Sequence, residues 1–190
     1  MGHAAESFDA RGASRDVPAR AARLADDRQV LIRQAGVADL PGIVDFFERL
    51  SGNSRYLRFF SPQPRMRRAM VEQVVAPGAD RLTVLAQPME FRATARHVVA
   101  VGGWIYVPAE DRCDVSVAVA DAWQHVMLGT YVVLVLLQAA VASGHRRFST
   151  DVLSSNARML GLLRELGAPL RSIREAGVTR VEFELPPVTP

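Results

Sequence analysis

Two stretches of the sequence hold residue types whose order could support chemistry. Asp114 to Val119 is a Val- and Ala-rich run of strand character, followed by the loop Asp121 to Met127 and then by Leu128 to Ala142, which is apolar almost throughout. A strand that passes through a tight loop into a helix N-terminus aims several backbone N–H groups, with the positive end of the helix dipole, at one point. A phosphate-type anion fits such a point. Further on, Asn156 heads a helical pattern, where an Asn side chain can cap the helix or hydrogen-bond a ligand. Asp114 supplies a carboxylate, which also has a purely structural reading as a strand acid beside Arg112.

Other candidates are weaker. Arg65, Arg67 and Arg68 could steer an acidic partner or a phosphate, or form a solvated helix face. Cys113 is the single cysteine, so no intrachain disulfide is possible, and with no Cys/His pair nearby it reads as packing. His3, His97, His125 and His145 lack metal-ligand spacing, so no metal site is expected. All 23 basic residues are Arg, which rules out self-modification on a lysine side chain.

The elements that must position these residues follow from periodicity. Val30 to Ile32 reads as a strand ended by Gly36. Leu40, Ile43, Val44, Phe47 and Leu50 repeat at helical spacing, with Pro41 in the first turn. A second helix runs from about Ser54, breaks near Pro62 and Pro64, and resumes from Met66 to Val75 before Pro77-Gly78. Leu82 to Ala86, Val98 to Val107 and Asp114 to Val119 read as an antiparallel meander, with Trp104 and Tyr106 on one face, shaping either a cavity or the core. Leu128 to Ala142 is too short to span a membrane and reads as a buried helix. Phe148 to Leu153 is a strand, Asn156 to Leu166 a helix capped by Gly167, and Val178 to Leu185 an alternating final strand.

This order of elements resembles the GNAT acetyltransferase superfamily. Ser54-Arg55-Tyr56-Leu57-Arg58-Phe59 is similar to the Ser-Arg-Tyr-x-Arg-Phe segment of its bacterial protein lysine acetyltransferases. Asp114 to Thr130 looks like the family's acyl-CoA strand and pyrophosphate loop, and Asn156 to Gly167 like its Asn-containing helix. The resemblance covers about residues 29 to 185. It implies an α/β fold with a mixed, mostly antiparallel twisted sheet of about six or seven strands and about four helices. Outside the domain over 29–185, residues 1–28 are rich in Ala, Arg and Asp without a sustained period and read as a mobile leader with a nascent helix at Ala19 to Leu24, and the Pro-rich 186–190 as a tail.

The resemblance further implies acetyl-CoA as co-substrate and an amine acceptor, a protein lysine among the candidates. Val117, Ala118 and Val119 would pair with the pantetheine arm. Gln124, His125, Val126, Met127, Leu128, Gly129 and Thr130 would hold the pyrophosphate, and Asn156 would hydrogen-bond the arm. Asp114 would be the base, directly or through water, where relatives carry Glu, and Arg55, Tyr56 and Arg58 would line the acceptor groove. Met127 stands where the family loop, Gln/Arg-x-x-Gly-x-Gly/Ala, has its first glycine, a position where positive φ is strained for other residues. His125 could offer charge to phosphate, and Leu163 replaces a thiolate-protonating Tyr. Two other readings share these residues: a non-catalytic relative serving as an interaction module, and a small-amine acetyltransferase with an enclosed acidic pocket.

Composition sets the remaining bounds. With 190 residues, 49% hydrophobic and 23% charged, one globular domain is expected. The net charge of +3 comes from interleaved acids and bases, so no nucleic-acid partner is expected. No signal or transit peptide is evident in the first 28 residues, which implies a cytoplasmic protein with no membrane partner.

Overall fold

The structure is a computed structural model that describes residues 17–61, 72, 75–76, 78–90 and 97–186. The resumed helix expected from Met66 to Val75, and the Arg65, Arg67 and Arg68 cluster, fall wholly or largely outside the described residues.

Eight strands form one sheet: β1 Arg20–Arg23, β2 Gln29–Gln34, β3 Arg81–Pro88, β4 Ala100–Val107, β5 Arg112–Val119, β6 Arg147–Leu153, β7 Leu170–Glu175 and β8 Val178–Glu184. Their spatial order is β1-β2-β3-β4-β5-β6-β8-β7. Neighbours are antiparallel throughout, except for the parallel pair β5 and β6. Four α-helices accompany the sheet among the described residues: α1 Leu40–Arg49, α2 Gly52–Phe59, α3 Leu128–Ala142 and α4 Ala157–Glu165. The α/β class and mixed sheet are as the resemblance implied, with one strand more than the upper count.

Two strands were not anticipated. Ala19 to Leu24 is not a nascent helix: Arg20–Arg23 is an edge strand paired with β2, and Leu24 is buried behind it. Its backbone partners come from β2, and tertiary pairing overrides local helix preference. Strand β7 carries no sequence signal of its own, being exposed on both faces and without alternation. Its hairpin to β8 turns at Ala176 and Gly177, both at positive φ (48° and 81°), as the tight two-residue turns require.

The helices divide the core. Helix α3 packs on β3, β4 and β5, burying Leu128, Val132, Val133 and Leu136 in the larger cluster. Each such side chain contributes about 1.5–3 kcal/mol of burial. The seating depends on Gly102, where a Cβ would stand 2.7 Å from Val132 Cγ1 and 2.9 Å from Leu136 Cδ1. Among the described residues no helix is long and apolar enough to cross a membrane. Helix α1 covers the opposite face with Leu40, Ile43, Phe46 and Phe47. All four are buried, Phe46 in addition to the expected set, and Val44 lies at the cluster's margin.

Candidate active site

The sheet opens where the site lies. β4 and β5 are paired along their whole length, from Val107↔Arg112 to Ala100↔Val119. β5 and β6 share only Cys113↔Phe148 and Asp114↔Ser149. Beyond Asp114 the two strands diverge, leaving the outer backbone edge of β5 without a strand partner among the described residues. A cleft of about 510 Å³ occupies the gap. Val117, Ala118 and Val119 line it from β5, Gln124, His125 and Met127 from the loop, Leu128, Gly129 and Thr130 from the first turn of α3, and Asn156 from the head of α4. Val126 is not in the lining; its carbonyl accepts the Ala25 N–H at 3.3 Å.

The loop is backbone-strained where glycine was expected. Met127 is the N-cap of α3 at φ 67°, ψ 4°, half exposed, and His125 is also left-handed at φ 66°. Each left-handed non-glycine residue costs roughly 1–2 kcal/mol. This geometry points the start of α3 at the cleft: the Tyr131 N–H makes the bond to the Met127 carbonyl at 3.1 Å, so the N–H groups of Leu128, Gly129 and Thr130 precede the helical ladder. At Gly129 the neighbours are open: a Cβ would meet Val119 and Leu162 at 3.6 and 3.7 Å.

Side chains hold this loop from three directions. Gln124 Nε2 donates to the Val119 carbonyl at 3.0 Å and to Ser54 Oγ at 3.1 Å, which ties the loop to β5 and α2. Asp121 accepts from the Ser51 N–H at 3.0 Å and from the Ser51 and Ser54 hydroxyls, each at 2.7 Å. Burial pushes its carboxyl up, but these donors outweigh it and hold the group below the usual carboxylate range. From α4, Arg158 donates to Gln124 Oε1 and approaches His125 Nε2 at 2.6 Å. Arg158 thereby brings a guanidinium to the cleft, a group that only donates. Arg158 had no assigned role in the sequence; its position in the first turn of α4, two residues after Asn156, was the available signal.

The third direction is the N-terminal segment. The Arg28 guanidinium lies 3.9 Å over the Trp123 ring, and its Nη2 donates to the Ala122 carbonyl at 3.0 Å. Part of the segment read as a leader therefore braces the loop from behind.

Asp114 sits at the parting of β5 and β6, outside the main cleft. It accepts a hydrogen bond from the buried Ser149 hydroxyl and lies 3.4 Å from Arg112 Nε. It lines a second cavity of about 180 Å³ on the α1 and α2 face, with Thr83, Ser116, Trp104 and Arg58. Arg58 borders both cavities. Arg55 and Tyr56 line neither: Arg55 donates to the Glu48 carbonyl at 3.3 Å, and Tyr56 is exposed. The α2 residues that face the main cleft are Ser54, Leu57 and Arg58.

Asn156 caps α4, its Oδ1 accepting the Met159 N–H at 3.1 Å. Leu163 is buried in the core, and Gly161, Leu162 and Glu165 form the cleft wall there. Cys113 is fully buried, and burial, with Asp114 and Asp111, pushes its thiol up to about 12, which removes it as a nucleophile. Trp104 lies in the larger core, 5.4 Å from the His145 ring, and Tyr106 stacks on the same ring at 4.2 Å.

No family model and no curated protein matches the sequence. Solved structures do match. The GNAT domain of S. lividans PAT is 26% identical at a TM-score of 0.78, over 88% of this chain and 97% of that one. YncA, a putative acetyltransferase from Salmonella typhimurium solved with acetyl-CoA, is 16% identical at 0.64, over 85% and 96% of the two chains. A cAMP-binding acyltransferase from Mycobacterium smegmatis is 20% identical at 0.61, over 90% of this chain and 48% of its own. The parted β5 and β6, the loop entering α3 and these likenesses together make the chain a GNAT-fold protein that resembles the GNAT acetyltransferases, a bacterial protein acetyltransferase among them.

Proposed function

We propose that the chain is an N-acetyltransferase that moves an acetyl group from acetyl-CoA to a primary amine, with a protein lysine side chain as acceptor. The observation that carries this reading is the unpaired edge of β5 beyond Asp114, which runs along a cleft ending at the N-terminus of α3. An extended amide-bearing arm can pair with such an edge, and a pyrophosphate can take the helix N–H groups. Arg158 adds charge at the same place.

In the transfer, the amine nitrogen attacks the thioester carbonyl carbon; a C–N bond forms, the C–S bond breaks and CoA leaves as a thiolate. The amine's proton passes to Asp114, and the thiolate takes one from solvent. Asp114 stands three residues, or about 10 Å of strand, before Val117, so the proton travels through water. A backbone N–H of Val117 to Val119 stabilises the developing oxyanion, an effect of about 3 kcal/mol.

The test is calorimetric titration of acetyl-CoA, followed by acetyl transfer to a lysine peptide by the wild-type chain and Asp114→Asn. Acetyl-CoA should bind in the micromolar range, and the variant should bind it equally while losing about 10²–10⁴ in rate. One observation favours a second reading: Met127 holds a left-handed backbone with its side chain in the cleft wall, as a decayed phosphate loop would. Failure of acetyl-CoA to bind the wild-type chain would select that non-catalytic reading.

A further inference from the structure

We propose that Arg58 anchors a carboxylate on the acceptor, so that the chain prefers amines accompanied by a carboxylate; this rests on the transferase reading above. Arg58 projects from α2 toward β5, and its one hydrogen bond among the described residues is from Nη2 to Ser116 Oγ at 3.0 Å. A guanidinium has five N–H donors, so most of its capacity is unspent. Among the described residues it has no carboxylate partner, whereas Arg33, Arg81, Arg112 and Arg180 each have one. The side chain is half-buried, with the guanidinium 5.1 Å from the centre of the Phe59 ring, and desolvation pushes its pKa below the ordinary range. A ring face and one hydroxyl only partly offset the desolvation of such a charge, and a counter-ion completes it. Here the counter-ion comes from outside the chain, because the guanidinium borders a cavity.

That cavity is bipolar. Arg58 and Asp114 both line its 180 Å³ without forming an ion pair with each other. A carboxylate placed on Arg58 in the two-pronged geometry that a guanidinium favours leaves an ammonium on the same molecule facing Asp114, the group assigned to take its proton. Thr83 and Ser116 add hydroxyls between them. The chemistry is shared by two sources: a free amino acid, and a lysine followed by an acidic residue in a peptide.

Two measurements test the proposal. In the first, the Arg58 Nε–H resonance, identified by its loss in Arg58→Lys and Arg58→Gln, is followed as glutarate or glutaramide is added. A saturable shift with glutarate alone is expected; equal or absent responses overturn the proposal. In the second, kcat/KM is compared for peptides in which the lysine is flanked by Glu or Gln, and for lysine against lysinamide. At least one carboxylate-bearing member should be preferred about tenfold or more, and the preference should vanish in Arg58→Gln; which pair responds identifies the source. Transfer without that preference, with both members slowed equally by the variant, would make Arg58 a group acting on the acetyl donor and overturn the proposal. A glutarate shift with no transfer to any amine would instead sink the transferase reading and leave the carboxylate site standing.

Discussion

Ser149 donates its hydroxyl to Asp114 at the last residue pair that joins β5 to β6. The carboxylate assigned as base is thus oriented by the strand from which its own strand is about to separate. Before this pair, the sheet is closed; after it, the backbone of β5 is available to a ligand. The Ser149–Asp114 contact and the open edge mark the same parting of the two strands.

Replacing Met127 with glycine relieves a left-handed backbone of about 1 kcal/mol and clears a side chain from the cleft wall. We expect several-fold tighter acetyl-CoA binding by calorimetry and an unfolding midpoint that is unchanged or higher, since the entropy of the added glycine offsets part of the relief. Weaker binding would show that the Met127 side chain contacts the ligand.

Arg28→Ala removes the stack on Trp123 and the bond to the Ala122 carbonyl. Its site is partly exposed, so the expected loss of stability is only about 1 kcal/mol. Acetyl-CoA affinity should fall as well, because the loop loses its support, although Arg28 lies outside the cleft lining. Unaltered affinity in a folded variant would mean that the loop holds its shape through Gln124 and Asp121 alone.

Two glycines should respond in opposite ways. Gly102→Ala drives a methyl into Val132 and Leu136 and should destabilise the fold by about 1–3 kcal/mol, seen as a lower denaturant midpoint. Gly129→Ala meets only ordinary contacts and removes a glycine from a helix, which favours stability by up to about 1 kcal/mol. The same methyl lies in the cleft beside the free N–H groups, so acetyl-CoA binding should weaken while stability rises.

Asp39 accepts from Arg33 Nη1 and Nη2 at 2.8 and 2.6 Å and from the Gly36 N–H at 2.9 Å. The Arg33 bonds, opposed by burial and helped by the Gly36 N–H and the Arg33 charge, hold its carboxyl below the usual range. A depressed carboxyl contributes stability that is fully present above its unfolded value, about 3.9, and is lost as pH falls through the folded value. Asp39→Asn should therefore cost about 1–2 kcal/mol at pH 7 and progressively less below pH 4, measured by urea unfolding across that range. An equal cost at both ends would assign the effect to packing rather than charge.

By itself the sequence determined the order of elements from β2 to β8, apart from β7, because helix and strand periods are local and each strong run carries one. It also placed ten of the eleven proposed cofactor residues in what became the cleft wall, since strand, loop and helix are contiguous in the chain and move together. Only the tertiary structure decided the rest. Arg55 and Tyr56 line neither cavity while Arg58 borders both, a difference set by how α2 docks on β5 and invisible in a short polar helix. The strand at Arg20–Arg23 and the brace from Arg28 draw their partners from residues far along the chain, as do Arg158 on the loop and Ser149 on Asp114. Such contacts pair groups that are distant in sequence and are fixed only when the sheet closes, so no local pattern announces them.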